Sequence, residues 1–174
     1  MQSTRAGGEK SAVNRYKTMK LAVTGHRKLP KSFDDLLLKK ELSAFVHKGY
    51  DTFFIGMALG FDTACFRALV ELKKEGAKVK LVACVPCANQ DIKFTEKQKA
   101  EYRKLLSQSD EVHVLGEVYG ATAMMRRNRF MVDHADTLYA FLEKQRGGAY
   151  NTVRYARDKG KPIVFYGVAV GEPK

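Results

Sequence analysis

Six short apolar runs alternate with five helix-like stretches along this chain, and that alternation narrows the possible folds more than any other feature. The apolar runs lie at 21–23, 52–55, 79–85, 111–115, 137–142 and 162–166. Stretches 33–48, 62–75, 95–107, 121–134 and 151–159 read as helices. In the first of these Leu36, Leu37, Phe45 and Val46 form an apolar stripe, and in the second Cys65, Leu69 and Leu72 do so before Gly76 ends it. Thr95 with Gln98 spells a capping box, and Gly160 followed by Pro162 marks a helix stop. Strands this short and this uniformly apolar suit a sheet covered on both faces. The expectation is an α/β fold, doubly wound, with a mainly parallel sheet of about six strands and helices on both faces.

Three of the apolar runs end in glycine turns that lead into helical sequence. The turns are Thr24-Gly25-His26-Arg27, Gly56-Met57-Ala58-Leu59-Gly60-Phe61-Asp62 and Gly147-Gly148-Ala149-Tyr150-Asn151-Thr152. Glycine lets a ligand approach backbone N–H groups, and a helix starting there offers its partial positive end to an anion. Ligands of doubly wound sheets bind beyond the carboxyl ends of strands, where all three turns fall. Arg27 reads as a phosphate fork or as a surface arginine. Asp62 reads as a helix cap or as an acceptor for ribose hydroxyls. Asn151 and Thr152 read as cradle groups or as an ordinary cap. The dinucleotide fingerprint GxGxxG is absent after the first strand, which argues against a nicotinamide dehydrogenase.

The stretch Met124-Met125-Arg126-Arg127-Asn128-Arg129-Phe130-Met131-Val132-Asp133-His134 sets three arginines among apolar side chains. At helical spacing Met125, Arg129 and Val132 share one side, and Arg126, Phe130 and Asp133 another. The composition suits phosphate and base contacts, and equally a subunit interface through 124–130, so a homo-oligomer is expected. Cys84-Val85-Pro86-Cys87 has redox CxxC spacing, yet it closes an apolar strand, so Cys65, Cys84 and Cys87 are expected as buried thiols. The four histidines are scattered without metal-ligand spacing, and no metal or other cofactor is expected.

The net charge is +12, of which +4 falls in residues 1–20. Residues 1–18 read as a flexible basic leader, and 19–170 as a single domain. The excess of positive charge is compatible with nucleic acid, although no aromatic stacking platform is evident. No apolar run has the roughly 18–20 residues needed to cross a bilayer. A cytoplasmic protein without a membrane partner is the expectation.

Taken in order, these motifs resemble the YpsA-like family of the SLOG superfamily over about residues 19–166. The resemblance rests on Thr24-Gly25-His26-Arg27, the turn from Gly56 to Asp62, Pro86, the stretch from Arg127 to Asp133, Gly147-Gly148, Asn151 to Ala156 and Gly160-Lys161-Pro162. It implies a Rossmann-like domain whose pocket takes a nucleotide-derived ligand. It further implies that Gly56, Gly60, Asp62, Asn128, Arg129, Gly147, Gly148 and Thr152 belong to that pocket. LOG enzymes of the superfamily cleave the base from nucleoside monophosphates with the glutamate of a PGGxGTxxE motif. Here Arg146 replaces the proline, the turn is one residue longer, and Tyr155 stands three residues after Thr152. The catalytic carboxylate is missing from that position, leaving Asp62 and Asp133 as candidates for any such role.

The expected site comprises Thr24, Gly25, His26, Arg27, Gly56, Met57, Gly60, Asp62, Asn128, Arg129, Asp133, Gly147, Gly148, Asn151 and Thr152. The leading expectation is recognition of a small molecule of the ADP-ribose or nucleoside-phosphate type. The alternatives are a nucleotide N-glycosidase and a single-stranded DNA binder of the DprA kind using Arg126, Arg127 and Arg129.

Overall fold

The computed structural model describes residues 17–168. The basic leader read at 1–18 falls almost wholly outside them, as do residues 169 and 170 of the domain read at 19–170. Six strands, β1 (Met19–Gly25), β2 (Tyr50–Ile55), β3 (Lys80–Val85), β4 (Glu111–Val114), β5 (Thr137–Phe141) and β6 (Ile163–Phe165), form one sheet. Five helices alternate with them: α1 (Asp35–His47), α2 (Phe61–Lys74), α3 (Glu96–Ser107), α4 (Ala121–His134) and α5 (Gly148–Asp158). The fold is the expected Rossmann-like α/β sheet, and every strand pair is parallel.

The strand order is β4-β3-β2-β1-β5-β6. The chain therefore builds outward from β1 on one side and, after β4, returns to continue from β5 on the other. That reversal opens a crevice at the carboxyl ends of β1 and β5, the ordinary ligand position of such sheets. Strand residues split by period two between two cores. Leu21, Val23, Phe53, Ile55, Leu81, Ala83 and Tyr139 pack beneath α1 and α2. Ala22, Phe54, Val82, Cys84, Leu138 and Ala140 pack with the α4 and α5 residues Met131, Val132, Val153 and Ala156.

Local signals explain the helix boundaries. Asp34 caps α1 by accepting from the N–H groups of Leu36 and Leu37, and the capping box of Thr95 and Gln98 is formed at α3. One element lies outside the sequence reading: a 3₁₀ turn, Gln90–Lys93, between β3 and α3. All three cysteines are free and buried. Burial pushes the Cys84 thiol up to about 12 and raises Cys65 well above its usual range, the opposite of a reactive thiol. No described helix is long and apolar enough to cross a membrane.

Candidate functional site

A cavity of about 660 Å³ lies at the topological switch point, walled by the end of β1, by Ala58 and Asp62 after β2, by α4 and by the turn that opens α5. Eleven of the fifteen expected positions line it: Thr24, Gly25, His26, Arg27, Asp62, Asn128, Arg129, Gly147, Gly148, Asn151 and Thr152. Arg127, Arg146, Arg154, Met124, Met125 and Tyr155 join them. Arg27, Arg127, Arg129, Arg146 and Arg154 face only two acids of the lining, Asp62 and Asp158. The cavity is thus strongly positive for its size.

The turn before α5 makes the clearest anion seat. Gly147 takes φ +88, a left-handed conformation that favours glycine. The helix starts at Gly148, earlier than the expected 151, and no side chain caps it. The first intrahelical N–H to find an acceptor is that of Asn151, on the Gly147 carbonyl at 3.0 Å. Among the described residues the N–H groups of Gly148, Ala149 and Tyr150 have no partner, so the helix dipole ends in open donors at the cavity. Asn151 therefore lies within the helix and is not its cap. The Thr152 hydroxyl is also less free than expected, because it donates to the Gly148 carbonyl at 2.8 Å.

The other two turns work differently from the sequence reading. Gly56, Met57 and Gly60 are not part of the cavity lining. Gly56 is needed for space: a Cβ there would lie 2.7 Å from the Arg127 guanidinium carbon and 2.9 Å from Asp62 Oδ2. Its carbonyl accepts from Arg127 Nη1 and from Gln90 Nε2, the latter at 3.1 Å. Met57 is buried in the core with φ +60. Gly60, with φ +83, allows the backbone to pack against the carbonyls of His26 and Arg27, and Phe61 N–H donates to His26 O at 3.1 Å. The second turn is a floor under the cavity, reaching its lining only through Ala58, whose N–H is taken by Asp62, and through Asp62 itself.

Asp62 is the second residue of α2 and does not cap it; Gly60 holds the cap position. Its Oδ2 accepts from the Ala58 N–H at 3.2 Å, and no described group donates to Oδ1. Burial raises this carboxyl from its ordinary 3.8 to about 6, opposed by the charges of Arg127 and Arg27 and by the Ala58 bond. Arg127 is itself buried, and desolvation lowers its pKa against the pull of Asp62. Its Nε donates to Asn128 Oδ1 at 2.7 Å, which turns the amide nitrogen of Asn128 outward as a donor.

His26 serves the loop after β5. Its Nε2 accepts from the N–H groups of Glu143 and Lys144 at 2.8 and 3.2 Å. Both bonds require an unprotonated Nε2, so a neutral ring carries its proton on Nδ1. Arg27 Nη2 lies 3.0 Å from Met124 Sδ, bridging the first turn to α4.

Asp133 stands outside the cavity lining, contrary to expectation, because it lies one turn beyond Arg129 along α4, where it lines a neighbouring depression. The Tyr155 hydroxyl donates to both of its carboxylate oxygens, at 2.8 and 3.0 Å, while Arg129 sits 5.2 Å over the Tyr155 ring. Asp133 therefore meets the cavity only through the Tyr155 hydroxyl that both of its oxygens hold. Sequence reasoning gave Arg127 no distinct place, although the spacing of Ala123, Arg127 and Met131 marks it: these three are four residues apart and all buried.

Comparison with known proteins agrees with this architecture. The model of the YspA SLOG family (YpsA) matches residues 11–161. The SPbeta prophage-derived protein YoqJ of Bacillus subtilis is 30% identical over 117 residues, 60% of this chain and 68% of YoqJ. The UPF0398 protein YpsA of Bacillus subtilis is 24% identical over 161 residues, 88% of this chain and 89% of its own. Among solved structures, DNA processing protein A (DprA) of Streptococcus pneumoniae superposes with a TM-score of 0.66 at 21% identity, covering 86% of this chain. The molybdenum cofactor carrier protein of Chlamydomonas reinhardtii gives 0.56 at 16% identity, covering 86% of this chain and 76% of its own. This chain spans 50% of that DprA. At these identities the likeness is one of fold.

Proposed function

The chain belongs to the YpsA SLOG family, and on that footing we propose that its cavity binds a nucleotide-derived small molecule of the ADP-ribose or nucleoside-phosphate type. The observation that carries this reading is the uncapped α5 N-terminus, whose open N–H groups at Gly148 and Ala149 belong to the lining of an arginine-rich crevice at the switch point. A phosphate seats on Gly148 and Ala149, with Arg146 and Arg154 in reach of its charge. Asp62 Oδ1 serves as acceptor for a ribose hydroxyl. Met124, Met125 and Tyr155 supply apolar and aromatic surface for a base. Thr152 is followed by Tyr155 where the hydrolases of the superfamily place a glutamate, and Tyr155 is tied to Asp133; both favour recognition over cleavage. The single-stranded DNA binding of the Helicobacter pylori DprA named in its structure, and the cofactor carriage of the algal protein, support ligand binding as the common use of this fold.

Thermal melting against AMP, ADP and ADP-ribose tests the reading. A saturable rise in Tm is expected for at least one of them. Gly148→Asp meets no steric obstacle, since nothing lies within 4 Å of a Cβ placed there. The added carboxylate suits the helix N-terminus but repels an anion, so this variant should melt no lower than the parent while losing the ligand response. A flat panel overturns the proposal, and release of free base from AMP, followed by chromatography, turns it into the N-glycosidase reading.

A further inference from the structure

The cavity has a neighbour. A second depression, of about 340 Å³, runs along the outer side of α4 and is lined by Thr122, Met125, Arg126, Arg129, Phe130 and Asp133. Met125 and Arg129 line both. They stand four residues apart on the helix, so they form one ridge with the main cavity on one side and this groove on the other. Arg129 is exposed on that ridge, a cation at the boundary between the two spaces.

The groove carries the two features that nucleotide units need. Phe130 offers an aromatic surface held in place from behind: its ring lies 4.0 Å from that of His134, 5.5 Å from His113 and 6.5 Å from Phe54, centroid to centroid. Met125, 46% exposed, adds a polarisable apolar wall. Arg126 brings a second positive charge, with its Nη1 steadied by the Leu115 carbonyl at 3.3 Å. The one acid in the groove, Asp133, has both oxygens engaged by Tyr155.

We propose that this groove is a second ligand subsite, taking the next ring-bearing unit of a ligand whose first unit fills the main cavity, with Arg129 and Arg126 on the phosphate that joins them. The inference rests on the nucleotide reading of the main cavity. The shared chemistry is a second base linked through phosphate, and two sources provide it: a dinucleotide joined by a diphosphate, or the end of a single strand joined by a phosphodiester. Stacking of one base on an aromatic ring is worth roughly 1–3 kcal/mol, and about 1.4 kcal/mol is tenfold in affinity. A two-unit ligand should therefore bind at least about fivefold tighter than its one-unit parent.

Calorimetric titration of the full chain with AMP, diadenosine diphosphate and the 5′-phosphorylated dinucleotide pdApdA tests this. One of the two-unit probes should exceed AMP about fivefold or more, and which one does so identifies the linkage. Thr122→Trp, at an exposed position that lines only the groove, should leave AMP within twofold and bring the two-unit probe down to AMP. Arg126→Ala should narrow the gap several-fold, again with AMP unchanged. Equal affinity for AMP and both two-unit probes, or a gap that survives Thr122→Trp, overturns the subsite alone. Failure of all three probes to bind overturns the nucleotide reading and the subsite with it.

Discussion

Glu41 on α1 and Asp62 on α2 are buried to almost the same depth, 6% and 5% exposed, but the protein treats the two carboxylates differently. Glu41 is closed on all sides by donors of its own chain. The Tyr139 hydroxyl donates to its Oε2, and the Gly167 N–H reaches both oxygens at 3.0 and 3.2 Å. Asp62 has one backbone donor at 3.2 Å and an arginine whose hydrogen bonds go elsewhere. Its second oxygen is left facing the cavity. A fully satisfied buried acid locks tertiary structure, whereas an under-satisfied one at the edge of a crevice is held ready for a donor from outside.

The comparison can be broken most strongly at Arg127. Arg127→Met leaves Asp62 without its counter-charge and should cost about 3–5 kcal/mol of stability in urea denaturation. It should also move the Asp62 carboxyl further above 6, and the double variant with Asp62→Asn should recover part of the loss. A single variant as stable as the parent would mean that the two charges are not coupled.

Next in size is the pH dependence of Asp62 itself. Its carboxyl is raised from 3.8 to about 6 in the fold, so the folded state holds the proton more tightly than the unfolded chain. The stability it contributes is complete below about 3.8 and is lost as pH rises through about 6, a change of about 3 kcal/mol. The difference in stability between the parent and Asp62→Asn should follow that course in denaturation at a series of pH values. Ligand affinity should run the other way, rising as pH climbs through 6 and the carboxylate becomes an acceptor. An Asp62→Asn profile parallel to the parent's would mean that the Asp62 carboxyl is not raised by the fold.

The smallest effect is expected at Glu41. Glu41→Gln weakens a charge-assisted network and should cost about 1–2 kcal/mol while leaving nucleotide affinity within twofold. A matching loss of affinity, measured by titration, would erase the distinction between the two acids.

The fold was largely legible because its signals are local. Apolar runs, the Thr95–Gln98 capping box and glycine stops depend on neighbours a few residues away, and α4 spans the predicted 121–134 without change. The candidate site was legible in outline for the same reason: glycine turns after strands converge at one sheet edge once the strands are parallel. The details were not. Gly56 looked like a ligand-binding glycine and proved to be room for Arg127. His26 looked like a ligand group and holds the loop after β5 through two backbone donors. Asp133 proved to lie one turn past Arg129 and to be tied to Tyr155, since its residue type says nothing about where along the helix the crevice ends.

What the amino-acid sequence determined by itself was the order of strands and helices, the two-faced apolar pattern that demands a covered parallel sheet, and the family to which the motifs belong. Each of these follows from periodicity and spacing along the chain. Only the tertiary structure decided which polar groups lose their water. Arg127 is buried over the Gly56 carbonyl, Asp62 keeps one oxygen toward the cavity, and Met125 with Arg129 becomes a ridge between two spaces. Desolvation and partnership are set by residues far apart in sequence, so no local pattern carries them.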